Sequence, residues 1–274
     1  MKQADKLFDL SQRHVMAIVN VTDDSFYGAS RSYDSSSVGS RIEQVVSQGA
    51  TIIDIGGYSS RPGAVDVPVE EEWRRVKIGL SAVKSIAPNV MISVDTFRSE
   101  VARRAVEEFG PIIINDITAG EADDEIISVA SQYNLPYVAM HMRGTPQTMQ
   151  SQVSYPEGVV SAVYDYFTER CAYLLQRGVD RVIVDVGFGF AKSLEQNYEL
   201  LAGLSRMSEL GLPLLVGISR KSMIYKALDS TPEEALAGTA ALHWEALRGG
   251  ANILRVHDVR EAVDVIKLFS IYNK

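Results

Sequence analysis

Four carboxylate and amide residues follow short apolar segments of this sequence: Asp54, Asp95, Asn115 and Asp185. An ionised aspartate only accepts hydrogen bonds, whereas an asparagine both donates and accepts them. The four together suit a heterocycle that presents an alternating row of N–H donors and acceptors, such as a 2-amino-4-oxo ring. Asp185 carries the strongest signal, because it lies in an otherwise apolar segment where an unpaired carboxylate would be costly.

A basic set follows the same kind of segment: Arg61, Arg220, Lys221, Arg255 and His257. Several of these cations at one site would hold an anion such as phosphate in a chain that is otherwise acidic. Lys221 and Ser222 also stand where a helix is expected to begin, and the free N–H groups of a helix N-terminus favour negative charge. For Arg220 we expect an ion pair or a solvent-facing role instead. Alternation along a strand sends Arg255 and His257 to the same side.

Eight short apolar, β-branched segments recur along the chain, and a longer segment follows each one. The eight are Val15–Val19, Thr51–Ile55, Val90–Val94, Ile112–Ile114, Pro136–Ala139, Arg181–Val184, Pro213–Ile218 and Ala251–Val256. This alternation predicts a (β/α)8 TIM barrel, with a doubly wound open sheet as the alternative fold. The carboxyl ends of the strands form one face of such a barrel, so the polar residues would meet at its mouth.

Helical periodicity marks several of the longer segments, among them Glu70–Ile86, Val159–Gln176, Ser193–Leu210, Pro232–Leu247 and Arg260–Phe269. In the first of them, Trp73, Val76, Leu80 and Val83 recur at spacings of three or four and form one apolar stripe. Pro232 is predicted as the first helical residue of its segment, because proline is favoured at that position.

Two segments after the first two predicted strands are long enough to act as mobile loops over the mouth. They are Val21–Ser37 and Gly56–Val67, and both contain aromatic, charged or glycine residues. Loops of this kind close over an active site and exclude water from reactive intermediates. We therefore predict that βα loops 1 and 2 of the barrel are mobile lids.

Composition excludes several classes of protein. The chain has 274 residues, a formal net charge of −8 and 46% hydrophobic residues, which are values typical of a globular protein. Cys171 is the only cysteine, so an intrachain disulfide and a cysteine zinc site are excluded. The acidic balance argues against nucleic-acid or membrane-surface binding, and no apolar run approaches the roughly 20 residues of a membrane span. With no linker and no secretory signal, we expect a single domain over residues 1–274 in the cytoplasm.

Eight short motifs occur in order at the predicted strand ends. They are Asn20-Val-Thr-Asp-Asp24-Ser-Phe26, Asp54-Ile-Gly-Gly-Tyr-Ser-Ser60-Arg61-Pro62-Gly, Ser93-Val-Asp95-Thr, Ile114-Asn115-Asp116-Ile117, Met140-His-Met, Asp185-Val-Gly-Phe-Gly-Phe190, Ser219-Arg-Lys221-Ser222 and Arg255-Val-His257-Asp. Each motif is short, but their number and order over essentially the whole chain resemble the dihydropteroate synthase family of pterin-binding barrels.

This resemblance implies a transferase of folate biosynthesis. The implied reaction condenses 6-hydroxymethyl-7,8-dihydropterin pyrophosphate with p-aminobenzoate and gives 7,8-dihydropteroate and pyrophosphate, with Mg2+ as the cofactor. An SN1-like pathway is the expectation for the family. The resemblance also implies that the p-aminobenzoate pocket is the site of sulfonamides and that the chain forms a homodimer.

The resemblance further implies roles for individual residues. The catalytic set would be Asp24, Asp95, Asp185 and Lys221. The pterin would contact Asp95, Asn115, Ile117, Met140, Asp185, Gly217, Lys221 and Arg255. The pyrophosphate would contact Asn20, Ser60, Arg61, Arg255 and His257. The p-aminobenzoate pocket would be formed by Phe26, Ser60, Pro62, Phe190, Lys221 and Ser222, and Mg2+ would be held by Asn20 and Asp24.

Four positions depart from the usual pattern of the family: Asp23, Tyr58, Ser60 and Val186. Ser60 keeps the hydroxyl of the usual threonine, so anion binding should survive there. Two other functions remain open at this point, a corrinoid-linked methyltetrahydrofolate methyltransferase and a non-catalytic pterin-binding paralogue. The basic set argues against the methyltransferase, which has no pyrophosphate to bind, and the presence of Asn20, Asp185, Lys221 and Arg255 argues against the paralogue.

Overall fold

Eight parallel strands close into a barrel in chain order in the computed structural model, which describes residues 3–22, 35–59, 66–145 and 148–273. The strands are β1 His14–Asn20, β2 Ile52–Gly56, β3 Met91–Asp95, β4 Ile113–Asp116, β5 Tyr137–Met140, β6 Val182–Asp185, β7 Leu214–Val216 and β8 Ile253–Val256. Each strand pairs with the next one, and β8 pairs with β1 to close the ring. The predicted (β/α)8 TIM barrel is confirmed, and the open sheet is excluded.

The helices surround this barrel. They are α1 Ser35–Ser47, α2 Val69–Ile86, α3 Ser99–Phe109, α4 Glu125–Gln132, α5 Val159–Gln176, α6 Leu194–Ala202, α7 Ser222–Tyr225, α8 Leu236–Arg248 and α9 Val259–Tyr272. Short 3-10 helices lie at Gln3–Phe8, Met149–Ser151 and Leu204–Leu210. The predicted apolar stripe of α2 is buried against the barrel, as the periodicity indicated. No helix within the described residues is long and apolar enough to cross a membrane.

Two helix predictions were wrong in their bounds. The segment predicted as one helix over Ser193–Leu210 is α6 followed by a 3-10 helix, and the break falls at Gly203. Gly203 has φ −92° and ψ 11°, outside the α-helical range, and its backbone lies so close to Val160 that an added Cβ would be 2.7 Å from that side chain. The last helix before β8 begins at Leu236 and not at Pro232, because residues 231–235 form tight turns instead.

Two apolar layers hold the barrel together. The inner layer takes one residue from every strand and is closed below by Leu7 of the N-terminal 3-10 helix; its strand members are Met16, Ile52, Met91, Ile113, Val138, Ile183, Leu215 and Ile253. The outer layer packs the alternate strand residues against the helices. Because side chains alternate between the faces of a strand, residues two positions beyond the inner layer also point into the barrel, at its carboxyl end.

Candidate active site

The second inward layer of the barrel is polar. Two residues beyond the apolar inner layer, the strands place Ile18, Asp54, Ser93, Asn115, Met140, Asp185, Gly217 and Arg255. The strand register pairs Asp54 with Ser93 and Met140 with Asp185, so these residues lie at one level of the barrel. Period-two alternation therefore brings residues from distant parts of the sequence to one mouth, as the strand-end pattern predicted.

Arg255 connects two of the carboxylates at the mouth. Its Nε donates to Asp54 Oδ2 at 2.7 Å, and its terminal Nη2 donates to Asp95 Oδ2 at 2.6 Å. Asn115 Nδ2 donates to the same Asp54 oxygen at 3.0 Å. Asp54 is fully buried, and its other oxygen, Oδ1, has no hydrogen-bond partner in the described part of the chain. Asp54 is therefore the centre of this network, a role that the sequence did not assign to it.

The electrostatics of this network depend on burial. Burial raises the pKa of Asp95, and the guanidinium of Arg255 opposes that rise. Burial alone would lower the pKa of Arg255, but the carboxylates of Asp54 and Asp95 outweigh it and hold the pKa above its ordinary value. Arg255 therefore stays charged, and it stabilises a carboxylate pair that would otherwise be costly to bury.

Asp185 lies at the end of β6, where a glycine-rich loop begins. Its Oδ1 accepts a hydrogen bond from the backbone N–H of Gly187 at 2.8 Å. Burial raises the pKa of Asp185, while the nearby ammonium of Lys221 and the Gly187 hydrogen bond lower it. The carboxylate is thus oriented by its own loop and faces a cation, which leaves its second oxygen for a ligand.

Lys221 approaches the same loop from the end of β7. Its Nζ donates to the carbonyl of Phe188 and lies 4.7 Å from the centre of the Phe190 ring. Burial lowers the pKa of Lys221 to about 8, and Asp185 opposes that decrease. An ammonium over an aromatic face is a recognised attractive arrangement, and here it places charge and ring surface side by side.

An apolar cluster forms one wall of the mouth. Ile117, Met140 and Met142 pack with the half-buried rings of Phe97 and Phe190. Ile117 and Met140 were predicted here, whereas Phe97 was not. Gly217 leaves open space, because a side chain there would meet only Arg255 at 3.9 Å. A flat ring could therefore lie between apolar side chains and the polar network.

The end of the site nearest β8 and β1 holds predicted anion ligands. The Nδ1 of His257 is 3.3 Å from Ser219 Oγ, and burial together with Arg255 lowers the pKa of His257 to about 4. His257 is therefore neutral near pH 7 and offers a hydrogen bond instead of a charge. Asn20 lies beside Gly56, where a side chain would come within 3.2 Å of Asn20 Oδ1 and 3.7 Å of Asp95 Oδ2.

Arg220 forms an ion pair, as expected from the sequence. Its Nε and Nη2 donate to the two carboxylate oxygens of Asp258 at 2.8 and 2.7 Å. Arg41 of α1 donates to the carbonyl of His257 at 2.6 Å and was missed by the sequence analysis. No local pattern marks Arg41, since its contact joins residues 216 positions apart. These two arginines hold the backbone around His257 and are not directed at the central network.

Several predicted residues lie outside the described parts of the chain: Asp24, Phe26, Ser60, Arg61 and Pro62. Most of the two predicted lid loops lies there too. Tyr58, at the near end of the second loop, is described and packs edge-on against Phe97 with ring centres 5.1 Å apart. Ser222 is the first residue of α7, directly after Lys221.

The described residues alone do not form a metal site. No group of three or more histidine, cysteine or acidic residues with metal-ligand geometry occurs among them. Asn20 is the only described member of the predicted Mg2+ pair, and its amide oxygen is a hard ligand of the kind that Mg2+ accepts. Mg2+ is usually held by one or two protein oxygens with substrate phosphate and water, so this sparse set fits an ion that binds together with a phosphate ester.

Gly187 should be intolerant of any side chain. Its φ is +68°, and a Cβ would lie 2.0 Å from the carbonyl oxygen of His141. Gly211 is a matched control, because its φ of +67° is nearly the same and a Cβ there would meet nothing within 4 Å. We expect Gly211→Ala to lower the free energy of unfolding by about 1 kcal/mol and Gly187→Ala by about 3 kcal/mol or more. Equal losses in urea denaturation would contradict the close approach.

A family model described as pterin binding enzyme matches residues 16–257, which is most of the chain. The chain therefore belongs to the pterin-binding enzyme family, the class that the barrel and its polar mouth indicate. Dihydropteroate synthase of Escherichia coli K12 is 43% identical over 264 residues, which cover 95% of this chain and 92% of that protein.

Solved structures of dihydropteroate synthases are similar over the same extent. The Xanthomonas albilineans enzyme with 4-aminobenzoic acid has a TM-score of 0.88 and 37% identity, covering 96% of this chain and 94% of that one. The Yersinia pestis enzyme in a sulfonamide drug complex has a TM-score of 0.88 and 36% identity, covering 97% and 96%. The resemblance found in the sequence motifs is thus confirmed at the level of the whole chain.

Proposed function

We propose that this chain is a dihydropteroate synthase. It joins the methylene carbon of 6-hydroxymethyl-7,8-dihydropterin pyrophosphate to the amino nitrogen of p-aminobenzoate. The carbon–oxygen bond to pyrophosphate breaks, a carbon–nitrogen bond forms, and the amine loses one proton. The single observation that carries the proposal is the mouth of the barrel, where a carboxylate and amide network lies beside the Lys221 ammonium and the Phe190 ring.

The polar network suits the pterin ring. Carboxylates accept from the ring N–H and amino groups, Asn115 can accept and donate, and Lys221 can donate to the ring oxygen or nitrogen. Asp185 and Asp95 are the proposed acceptors, and the unpaired Oδ1 of Asp54 adds a further acceptor at the bottom of the mouth. Ile117 and Met140 supply apolar surface for the ring, and Gly217 leaves it room.

The pyrophosphate is proposed to lie toward β8 and β1. Arg255 has five N–H donors, of which two are used on Asp54 and Asp95, so the guanidinium can bind a phosphate oxygen without leaving its carboxylates. His257 and Asn20 add hydrogen bonds there, and Ser60 and Arg61 are expected to join them from the second loop. These preorganised hydrogen-bond donors would stabilise the negative charge that develops on the departing pyrophosphate.

The arylamine is proposed to bind between Phe190, Lys221 and Ser222. The Phe190 ring offers a stacking surface, and the adjacent ammonium attracts the carboxylate of p-aminobenzoate. Phe26, Ser60 and Pro62 would complete the pocket from the two loops. A sulfonamide would occupy the same pocket, because it carries a similar aniline ring and a polar group in the para position.

Mg2+ is the proposed cofactor, and Asn20 and Asp24 would hold it. It would supply positive charge that stabilises the departing pyrophosphate. The chain's own residues then stabilise the pterin side. Asp185 and Asp95 face the carbon that becomes electron-poor as the bond breaks, which favours an SN1-like pathway. Closed loops would keep water from the cationic centre until the neutral amine attacks.

Two other functions are less well supported. A methyltransferase that uses a corrinoid and a folate shares the pterin-reading carboxylates but needs no cations for pyrophosphate. A non-catalytic paralogue would need no cation beside Asp185. The relatives named dihydropteroate synthase, at 43% identity over most of the chain, favour the synthase.

We also propose that the enzyme is a cytoplasmic homodimer. The supporting observation is an exposed apolar surface on α9, formed by Leu268, Ile271 and Tyr272, with Trp244 of α8 packed against it. Analytical ultracentrifugation should show a particle of twice the 30.1 kDa chain mass. Leu268→Glu should shift it toward the monomer.

Affinity for the pterin pyrophosphate should fall above pH 8. Lys221, with its pKa lowered to about 8, carries its proton below that pH and loses it above. Lys221 is proposed to donate to the pterin ring, and the bound acceptor holds the proton, so the association constant should fall by up to about tenfold per pH unit over this range. His257 is already neutral there and adds no step. Calorimetry from pH 7.5 to 9.5 checks this, and the same slope in Lys221→Met would assign the titration to another group.

Calorimetry also separates the three candidate functions. A synthase should bind pterin pyrophosphate more tightly with Mg2+ than without it, and adding p-aminobenzoate to that complex should give reaction heat. A methyltransferase should bind methyltetrahydrofolate and show no preference for the pyrophosphate ester. Metal-independent pterin binding with no reaction heat on adding p-aminobenzoate would favour the non-catalytic protein.

A further inference from the structure

Lys192 has a buried ammonium that the proposed mechanism does not use. Its Nζ donates to the carbonyls of Gly187 and Phe190 at 3.0 Å each and lies 3.0 Å from His141 Nδ1. An ammonium has three N–H donors, so these three acceptors satisfy it completely. Its side chain therefore joins both ends of the loop after β6 to the end of β5.

This loop, residues 186–191, has an unusual backbone. Gly187, Gly189 and Ala191 have φ values of +68°, +81° and +51°. The third of these is unfavourable for a residue with a side chain. A segment in which every second residue has a positive φ persists only where neighbouring residues hold it in place. Lys192 contacts the carbonyls of Gly187 and Phe190 and so spans most of this segment.

The same loop carries the residues proposed to hold the arylamine. The carbonyl of Phe188 accepts from Lys221 Nζ, and the Phe190 ring lies under that ammonium. Asp185, which is proposed to contact the pterin, precedes the loop and belongs to strand β6 with its own strand pairing. A change in the loop should therefore disturb Phe190 and Lys221 more than it disturbs Asp185.

We propose that Lys192 is a positioning residue for the arylamine half of the site: it fixes the loop so that Phe190 and the Lys221 acceptor carbonyl are in place. This inference rests on the proposed function. Lys192 touches neither substrate. It acts through the Gly187 and Phe190 carbonyls and determines arylamine affinity, while pterin recognition depends mainly on the strand residues Asp95, Asn115 and Asp185.

The cost of burying this charge supports a specific role. The pKa of Lys192 is lowered to about 7, chiefly by burial and in smaller part by the Lys221 and Arg143 charges, while Asp185 opposes the decrease. An apolar side chain of the same length would avoid that cost, because a buried ion often adds little net stability. What an apolar side chain cannot do is bind two loop carbonyls and His141 at once.

The test compares Lys192→Met, which keeps the length and removes all three donors, with Lys192→Gln, which keeps an N–H2 group. Lys84→Met on the exposed side of α2 is the control. We expect Lys192→Met to raise the KM for p-aminobenzoate about tenfold or more, with a clearly smaller rise in the Kd for pterin pyrophosphate, because Lys221 is the one proposed pterin contact that the loop holds. The Gln variant should be intermediate. Hydrogen exchange at residues 187–191 should become faster in Lys192→Met, and this readout needs no turnover.

The outcomes separate the two proposals. If the unmodified enzyme makes no dihydropteroate, the proposed function fails, and the exchange data alone then decide whether Lys192 holds the loop. If the enzyme is active and both substrates lose affinity equally, or the KM for p-aminobenzoate does not move, the positioning role is wrong. If Lys192→Met does not fold, the Gln variant decides by the same two measurements.

Discussion

Arg255→Met should abolish most of the activity and also destabilise the fold. The variant removes the donor shared by Asp54 and Asp95 and leaves two carboxylates at the barrel mouth with no counter-charge between them. Removing one partner of a buried ion pair costs about 3–5 kcal/mol, because the remaining charge is uncompensated. We expect the free energy of unfolding to fall by about 3 kcal/mol, the lower end of that range, because the Arg255 side chain is 20% exposed. Loss of a preorganised donor should lower kcat/KM by about 10³-fold.

The pH dependence identifies the cause of that loss. Without Arg255, nothing opposes the rise that burial causes in the pKa of Asp95, so the folded state holds a proton that the unfolded state releases. The destabilisation is then complete above this raised pKa and shrinks as the pH falls toward the ordinary aspartate range. Urea denaturation at pH 7.5 and 5.5 measures this, with each variant compared with the parent protein at the same pH.

Arg220→Met is the matched control for Arg255→Met. It also removes a guanidinium from an aspartate at the same end of the barrel, but this pair is more exposed, at 30% for the Arg220 side chain. An ion pair of this kind contributes about 1 kcal/mol or less. If both variants lost the same free energy of unfolding, the Asp54–Arg255–Asp95 network would not have the central role given to it.

Asp185→Asn should lower kcat without destabilising the protein. The amide oxygen can still accept from the Gly187 N–H, so the loop geometry is retained. The variant removes a single negative charge, which is proposed to face the reacting carbon and which keeps the pKa of Lys221 from falling further. We expect kcat to fall by about 10²–10³-fold. Rapid-quench measurement of a single turnover, with saturating pterin pyrophosphate, isolates the chemical step.

Asp185→Asn should also leave the stability of the folded protein intact. Burial raises the pKa of Asp185 in the folded state, so the ionised carboxylate destabilises the fold at neutral pH. The neutral amide of Asp185→Asn should therefore leave the free energy of unfolding unchanged or higher.

Asp116→Asn should instead lower the free energy of unfolding. The Asp116 oxygens accept from the Thr118 and Gly120 N–H groups and from the Tyr137 hydroxyl, and an amide cannot accept all of these.

If Asp116→Asn is destabilised by about 1–3 kcal/mol while its folded fraction keeps most of kcat, the two aspartates have separate roles. A fall in stability for Asp185→Asn equal to that of Asp116→Asn would mean that Asp185 is structural, and the mechanism would lose its main anionic group.

The barrel and most of its mouth could be predicted because both follow from local periodicity. Short apolar, β-branched runs define the strands, and the polar residues at the carboxyl ends of those runs mark the site. The helix bounds at Gly203 and Pro232 were not predicted correctly, because packing against Val160 and the local turns override the periodic pattern. Local sequence does not report such tertiary constraints.

The contacts within the site could not be predicted in the same way. Arg255 and Asp54 are 201 positions apart and meet only because β8 closes on β1 beside β2. The sequence predicted Arg255 as a contact of the pterin and the pyrophosphate, and it did not predict the ion pairs of Arg255 with Asp54 and Asp95. Lys192 gave no signal at all, because nothing in its neighbourhood shows that three acceptors converge on it.

The most direct test of the central claim is the stoichiometry of the reaction catalysed by the purified chain. The chain is incubated with the pterin pyrophosphate, p-aminobenzoate and Mg2+, and dihydropteroate and pyrophosphate are both measured over time. The account predicts equal amounts of the two products, lost when Mg2+ is omitted and nearly lost in Lys221→Ala. Pyrophosphate released without dihydropteroate would show that water reaches the site in place of the amine, and no product from folded protein would contradict the claim outright.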